Sequence, residues 1–263
     1  MKIGQGNSKF NDQTSDNIEW AKWSWNPVTG CKYGCKYCYA RNIANRFYKE
    51  KFEYMVHRNR LTAPVNTKIP KKRINEEGIH NVFVCSMADL FGDWVETEVI
   101  QEILDVCEAS PQWNYLFLTK NPKRLLEFTF PDNSWVGTTV DCNARVANAL
   151  KYMPHVKAPV RFLSCEPLLE DLNIESLHGF DWLIIGAQSK QTEVPEFQPE
   201  QQWVTKLIST AREAGIKVFI KPNLRVELPD RPKEYFQARP IVRPGRQAQQ
   251  TTMFLEGLEA TTL

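Results

Sequence analysis

The sequence is poor in histidine, in net charge and in long apolar runs. It has four histidines, and its 33 basic residues nearly balance 31 acidic ones, which leaves a formal charge of +2. A balance this close neither requires nor excludes a nucleic-acid partner. No segment approaches the roughly 20 apolar residues that span a bilayer, and the first residues lack the apolar core of a signal peptide. We therefore expect a cytoplasmic protein that does not enter a membrane.

Cysteine is present, but not in the pattern of a disulfide-rich protein. There are seven cysteines, an odd number, and three of them crowd together at Cys31, Cys35 and Cys38. The other four stand alone in the chain: Cys85, Cys107, Cys142 and Cys165. An odd count with local crowding favours a reducing compartment and metal ligation over a disulfide framework.

Short apolar runs that are rich in β-branched and aromatic residues recur between polar turns. They read as buried parallel strands at 82–85, 115–118, 135–140, 161–164, 182–185 and 217–220, with an earlier strand within 18–25. Helical periodicity follows Thr97 and precedes Gly215, and Asp141 is a candidate N-cap for a third helix. Strand followed by helix, repeated six or seven times, predicts an α/β fold: a partial (βα)6-type TIM barrel.

The chain reads as one domain, 1–263, with a barrel core at about 17–222. A polar, basic excursion follows the first helix at about 47–81, and an irregular C-terminal extension covers about 223–263. The extension is rich in arginine: Arg225, Arg231, Arg239, Arg243 and Arg246. Both segments are candidates for contact with phosphates, although acidic residues are interspersed among their charges.

The spacing C-x3-C-x2-C of Cys31, Cys35 and Cys38 admits three interpretations. Positions i, i+4 and i+7 share one face of a helix, but Gly30 and Gly34 favour a loop. Structural zinc needs four ligands, usually in two pairs, and the sequence offers no second Cys or His pair. An iron-sulfur cluster is held by thiolates, and three from one loop leave an iron open to a small molecule. We favour the third interpretation.

With this loop after its first strand, the chain resembles the radical S-adenosylmethionine (SAM) superfamily. Four further segments resemble a three-cysteine family that is common in phages and prophages and has no assigned function: WNPVTGC at 25–31, SMADLF at 86–91, LTK at 118–120 with Arg124, and SCEPLL at 164–169. Members of that family typically carry Gly-Gly-Glu-Ser-Gly after the sixth strand, where this chain has GAQSK at 186–190. The missing carboxylate puts in doubt any role that requires a charge there.

The resemblance implies a 4Fe-4S cluster on Cys31, Cys35 and Cys38, with SAM on the fourth iron. It implies reductive cleavage of SAM to a 5'-deoxyadenosyl radical that abstracts hydrogen from a substrate, possible substrates being a nucleotide or a nucleic-acid base. A one-electron reductant of the flavodoxin or ferredoxin type is then required. The alternative is a non-catalytic iron-sulfur or zinc protein that binds nucleic acid or senses redox state.

Candidate site residues follow from this resemblance and from their positions at strand ends. The candidates for binding SAM are Tyr37, Ser86, Asp89, Thr138, Thr139, Asp141, Ser164, Gly186 and Gln188. The candidates for catalysis or substrate contact are Glu166, Lys120 and Lys221. Several of these residues also have a purely structural interpretation: Tyr37 as core packing, Asp89 as a turn cap, Asp141 as a helix cap and Lys221 as a solvated strand end.

Overall fold

Parallel strands that follow one another in sequence form the frame of the protein. The computed structural model describes residues 9–13 and 18–236. Its strands are β1 Asn11–Asp12, β2 Trp23–Trp25, β3 Val28–Thr29, β4 Met55–Val56, β5 Asn81–Val84, β6 Asn114–Thr119, β7 Ser134–Thr139, β8 Val160–Cys165, β9 Trp182–Ile185 and β10 Lys217–Ile220. Its α-helices are α1 Tyr39–Phe47, α2 Ala63–Asn66, α3 Thr97–Ala109, α4 Asn143–Tyr152 and α5 Gln201–Glu213.

The main sheet has the order β1-β2-β5-β6-β7-β8-β9-β10. All neighbours from β2 to β10 pair in parallel, and β1 adds to β2 antiparallel. Each new strand joins on the same side of the previous one, which is the winding of a TIM barrel and not of a doubly wound sheet. Within the described ranges, β2 and β10 do not pair with each other, so the barrel is open. The predicted partial barrel and its strands are confirmed.

The crossovers are less helical than the sequence pattern predicts. The β6–β7 crossover contains a 3-10 helix at Pro122–Glu127, and the β8–β9 crossover contains no helix among the residues described. The prediction that Asp141 caps a helix is wrong, because the N-cap of α4 is Cys142. The Asp141 carboxylate is held instead by Tyr37, 104 positions earlier in the chain, and by Arg145, four positions later.

Side chains of the parallel strands alternate between two buried clusters. The first cluster combines alternate strand residues, such as Leu163 and Ile185, with the apolar faces of α3, α4 and α5. The second cluster contains, among the residues described, none from these helices, and it therefore fills the inner face of the open barrel. Its large members are aromatic: Trp20, Phe83, Trp135, Phe162, Trp182 and Phe219.

Several basic residues of the excursion are held by contacts within the fold. Arg73 binds Asp12 and Glu76, each at 2.6 Å. Arg60 donates to the backbone carbonyl of Asn26 at 2.8 Å. The excursion is thus partly a structural segment that packs against the start of the barrel.

Residues after β10 also contact the sheet. The backbone N–H of Glu234 donates to Val218 at 3.0 Å, and Tyr235 packs against the inner aromatic cluster. Arg225 pairs with Glu196, and Arg231 donates to the carbonyl of Val226 at 3.0 Å. Three of the predicted phosphate-contacting arginines lie outside the described residues: Arg239, Arg243 and Arg246. None of the described helices is long and apolar enough to cross a membrane.

Candidate functional site

The three clustered cysteines lie on a loop between the first parallel strand and α1. Gly30 has φ +87°, and a Cβ at this position would lie 2.1 Å from the backbone oxygen of Glu53, so only glycine fits. Cys38 is the N-cap of α1 and accepts from the backbone N–H of Arg41 at 3.4 Å. Because α1 starts only after the third cysteine, the interpretation as one buried helix face is wrong.

All three cysteines of the loop are partly exposed and free of disulfides. Burial, with smaller contributions from Asp89, Cys38 and Cys35, raises the pKa of Cys31 to about 11. Burial also raises the pKa of Cys38. Within the described ranges, no three or more His, Cys, Asp or Glu side chains form a group that could hold a metal ion.

A hydrogen-bonded chain ties the cysteine loop to the far side of the site. The Tyr37 hydroxyl donates to Asp141, which follows β7 and is also bound by Arg145. Burial, with the nearby Asp141 carboxylate, raises the pKa of Tyr37, so its hydroxyl stays protonated as a donor. The Lys120 ammonium lies 5.6 Å from the centre of the Tyr37 ring. Three of the predicted residues therefore lie together: Tyr37 of the loop, Lys120 after β6 and Asp141 after β7.

Ser86 and Asp89 follow β5, and their side chains form hydrogen bonds with residues at the ends of neighbouring strands. The Ser86 hydroxyl donates to the side-chain oxygen of Asn26 at 3.1 Å. Asp89 is buried and accepts from the Thr119 hydroxyl at 2.7 Å and from the backbone N–H of Lys120 at 2.8 Å. It also accepts from the N–H of Phe91 at 3.1 Å, which is a turn contact. These contacts match the structural role that the sequence left open for Asp89.

The inner face of the barrel becomes polar toward the carboxyl ends of the strands. Alternate residues of a strand face the same side of the sheet, so the residues that continue the inner face beyond the aromatic cluster are Thr139, Ser164, Glu166, Gly186 and Lys221. Lys221 is 5% exposed and forms an ion pair with Glu166, so Lys221 is not a solvated strand end. The Ser164 hydroxyl is buried and, within the described residues, has no hydrogen-bond partner.

Two predicted SAM-binding residues point to other partners. Thr138 falls on the helix-facing side of β7 by alternation, and its hydroxyl donates to the carbonyl of Thr119 at 2.9 Å. The Gln188 amide donates to the carbonyl of Pro195 at 2.7 Å. Gln188 also exchanges backbone hydrogen bonds with Phe197, both at 3.0 Å. Its side chain therefore stabilises the loop after β9.

Sequence reasoning missed three supporting side chains. Asn26 accepts from the N–H of Met87 at 2.9 Å, which joins the ends of β2 and β5. Asn223 donates to the carbonyl of Ala187 at 2.7 Å, and Arg145 pairs with Asp141. Asn26 had a signal, since it lies in the WNPVTGC segment. Arg145 had one as well, since it stands four residues after Asp141, which is the spacing of an ion pair on a helix. The contact of Asn223 with Ala187 has no local pattern.

The sequence matches no curated protein. The fold is similar to solved structures of spore photoproduct lyase. A complex with dinucleoside spore photoproduct has 11% identity and a TM-score of 0.47, and the match covers 82% of this chain and 80% of that one. A doubly substituted variant with bound AdoMet and the same ligand has 11% identity, the same coverage and a TM-score of 0.48. A family model described as a protein of unknown function, DUF5131, matches residues 15–226. Because this match covers most of the sequence, the chain belongs to the DUF5131 family.

Proposed function

We propose that this protein is a radical SAM enzyme that holds a 4Fe-4S cluster on Cys31, Cys35 and Cys38. The observation that carries the proposal is the position of the three free cysteines. They lie on one loop, between β3 and α1, beyond the carboxyl end of the parallel strand β2 of the open barrel. Active sites of βα barrels lie at this edge.

The donor set suits the cluster. Each thiolate of a loop binds one iron, and three thiolates leave one iron for SAM. Cys38 lies at the N-cap of α1, where its sulfur accepts the backbone N–H of Arg41. The guanidinium of Arg41 donates to the carbonyl of Cys31 at 3.0 Å and braces the loop.

When bound, the cluster on Cys31, Cys35 and Cys38 and SAM would supply one-electron radical chemistry, in which an electron from a reductant would cleave SAM and a hydrogen atom would be taken from the substrate. The protein's own residues position the reactants. Tyr37 and Asp141 hold the cysteine loop against the end of β7. Glu166, Lys221 and Ser164 lie on the inner face, where the buried Ser164 hydroxyl has no hydrogen-bond partner among the described residues.

The preferred substrate class is a nucleotide or nucleic-acid base. The exposed lysines of the excursion, Lys68, Lys71 and Lys72, support this choice. The fold by itself does not determine a substrate. A phage origin also stays a prediction. A non-catalytic iron-sulfur protein is the second candidate, and it differs in one measurable property, since it would not cleave SAM.

The test compares two cysteine variants after anaerobic reconstitution with iron and sulfide. Cys35→Ser removes a proposed ligand, whereas Cys142→Ser alters a partly exposed cysteine at the N-cap of α4, where serine is favourable. With dithionite and SAM, we expect the wild type and Cys142→Ser to release 5'-deoxyadenosine. Cys35→Ser should release none above a protein-free control, and its iron content should fall.

Two results would contradict the proposal. Equal iron content and equal 5'-deoxyadenosine release in Cys35→Ser and the wild type would remove Cys35 from the ligand set. A loaded wild-type protein that never cleaves SAM would favour the non-catalytic alternative. Mass spectrometry measures 5'-deoxyadenosine, and electron paramagnetic resonance identifies the cluster type.

A further inference from the structure

We propose that the outer surface of the cysteine loop and α1 binds an acidic one-electron donor protein. This surface, the donor face, has an apolar stripe of Tyr39, Ile43 and Phe47 and a basic rim of Lys32, Lys36, Arg46 and Lys49. The inference rests on the proposed function, because a donor is needed only where an electron enters a cluster. It assigns the place of entry and the chemistry of the partner.

The donor face has an apolar stripe along α1. Tyr39, Ile43 and Phe47 follow one another at i, i+4 and i+8, so they share one side of the helix. They are 39%, 39% and 67% exposed, whereas Ala40 and Ala44, on the adjacent side of the helix, are buried. Single exposed apolar side chains are common on protein surfaces, but three large ones in a row on one side of a helix indicate a binding face.

Positive charge is concentrated in the segment that carries this stripe. Residues 31–49 contain five basic residues and no acidic ones, although the whole chain carries only +2. Arg41 turns inward to the cysteine loop. The other four basic side chains are exposed: Lys32, Lys36, Arg46 and Lys49. A basic rim around an apolar centre is complementary to a partner with an acidic rim around an apolar centre.

The donor face is adjacent to the cysteines. Cys38 caps α1, and the stripe begins with the next residue, Tyr39. The Tyr39 hydroxyl donates to the carbonyl of Ser86 at 2.8 Å, which fixes the start of the stripe against the end of β5. A protein docked here would lie against the loop that is proposed to hold the cluster.

The character of the stripe favours a protein over a nucleic acid. Base stacking needs open aromatic faces, and Ile43 at the centre of the stripe offers none. The Arg46 guanidinium lies 4.9 Å from the centre of the Phe47 ring and covers one of its faces. An aliphatic and aromatic stripe with a charged rim matches the anatomy of a protein interface.

The experiment uses a bacterial flavodoxin that is kept reduced by NADPH and its reductase, in parallel with dithionite. The variants are Phe47→Glu and Arg46→Glu, and Ile74→Glu is the matched control because Ile74 is 60% exposed on the excursion. We expect the KM for flavodoxin to rise about tenfold or more in Phe47→Glu, and its Kd by biolayer interferometry to rise similarly. The effect of Arg46→Glu should shrink with added salt. Turnover with dithionite should stay within about twofold of the wild type, because the chemistry is unchanged.

The outcomes separate this inference from the proposed function. No 5'-deoxyadenosine with dithionite contradicts the proposed function, and the flavodoxin Kd of the variants still decides the donor face. Unchanged KM and Kd in Phe47→Glu, or a wild type that binds no flavodoxin, overturns the inference. Loss of binding to labelled single-stranded DNA, or a change from dimer to monomer in Phe47→Glu, assigns the face to another occupant and also overturns it.

Discussion

The ammonium group of Lys221 donates to the carboxylate of Glu166, which links the ends of β10 and β8 across the end of β9. The Lys221 side chain is 6% exposed and that of Glu166 is 23% exposed. The pair therefore lies at the boundary between the barrel interior and solvent.

The first prediction concerns the strength of this pair. Breaking a fully buried ion pair costs about 3–5 kcal/mol, and the partial exposure of Glu166 reduces the expected cost of Glu166→Gln to about 1–3 kcal/mol. Glu166→Gln with Lys221→Met should cost less than the sum of the two single changes, because no buried charge loses its partner. Urea unfolding measures the free energies.

Glu196→Gln is the control for this cycle. Glu196 pairs with Arg225, and their side chains are 38% and 65% exposed. Loss of such an exposed pair should cost under about 1 kcal/mol. Strict additivity of the Glu166 and Lys221 changes would show that the pair contributes no coupling energy.

The second prediction concerns Gly186, which follows β9 beneath the pair. A Cβ at Gly186 would lie 3.0 Å from Cγ of Glu166 and 3.2 Å from Cδ of Lys221. Gly186→Ala should therefore destabilise the fold by about 1 kcal/mol through overpacking. In a Glu166→Ala background the same change should cost less, since Cγ is gone; an equal cost in both backgrounds would contradict this account.

The third prediction concerns the bond between Tyr37 and Asp141. Tyr37→Phe keeps the ring and removes the donor to a buried carboxylate, so we expect a loss of about 1–2 kcal/mol. The iron content after reconstitution should fall, because the loop loses its tether. Tyr33→Phe is the control on the same loop, where the ring packs edge-on against Trp94 at 5.0 Å. If Tyr37→Phe and Tyr33→Phe lose equal amounts of iron, loss of the hydrogen bond to Asp141 is not the cause of the lower iron content.

The fourth prediction concerns pH. Burial, with Arg60 close by, lowers the pKa of His57 from 6.5 to about 4, and its ring shares a 2.8 Å hydrogen bond with the Thr29 hydroxyl. The folded state therefore favours the neutral ring, and this contribution to stability is present above about pH 6.5 and is lost as pH falls toward 4.

The measurement is the free energy of unfolding at neutral pH and near pH 4.5. After allowance for partial exposure, the wild type should lose about 1 kcal/mol more than His57→Gln over this interval. Other titrating groups are common to both proteins, so they cancel in the difference. Parallel pH curves for the two proteins would rule out the contribution of His57.

The strands were predictable because buried parallel strands are short continuous apolar runs, and each predicted run contains or overlaps an observed strand. The long helices α3 and α5 were predictable from their 3.6-residue periodicity. The structures of the β6–β7 and β8–β9 crossovers were not predictable, because the alternation of strand and helix is an average feature of the fold class. It does not fix the structure of each crossover. Pro122 starts only a 3-10 helix.

Asp141 shows why the details of the site were harder to predict. The local sequence pattern predicts that Asp141 is an N-cap, yet its hydrogen-bond partner Tyr37 lies 104 positions away in the chain. Glu166 and Lys221 were singled out as polar groups at strand ends, but their distance of 55 positions hides the fact that they pair. Hydrogen bonds of this range depend on the order of strands in the sheet.

Local patterns in the sequence specify the parallel α/β architecture and the position of the cysteines on a loop, because periodicity, glycine positions and cysteine spacing act over a few residues. The folded chain was needed to show that Tyr37 binds Asp141, that Asp89 is held by Thr119 and Lys120, and that Glu166 pairs with Lys221 above Gly186. The physical reason is that these contacts require the carboxyl ends of separate strands to meet at one edge of the barrel, where buried polar groups must find partners.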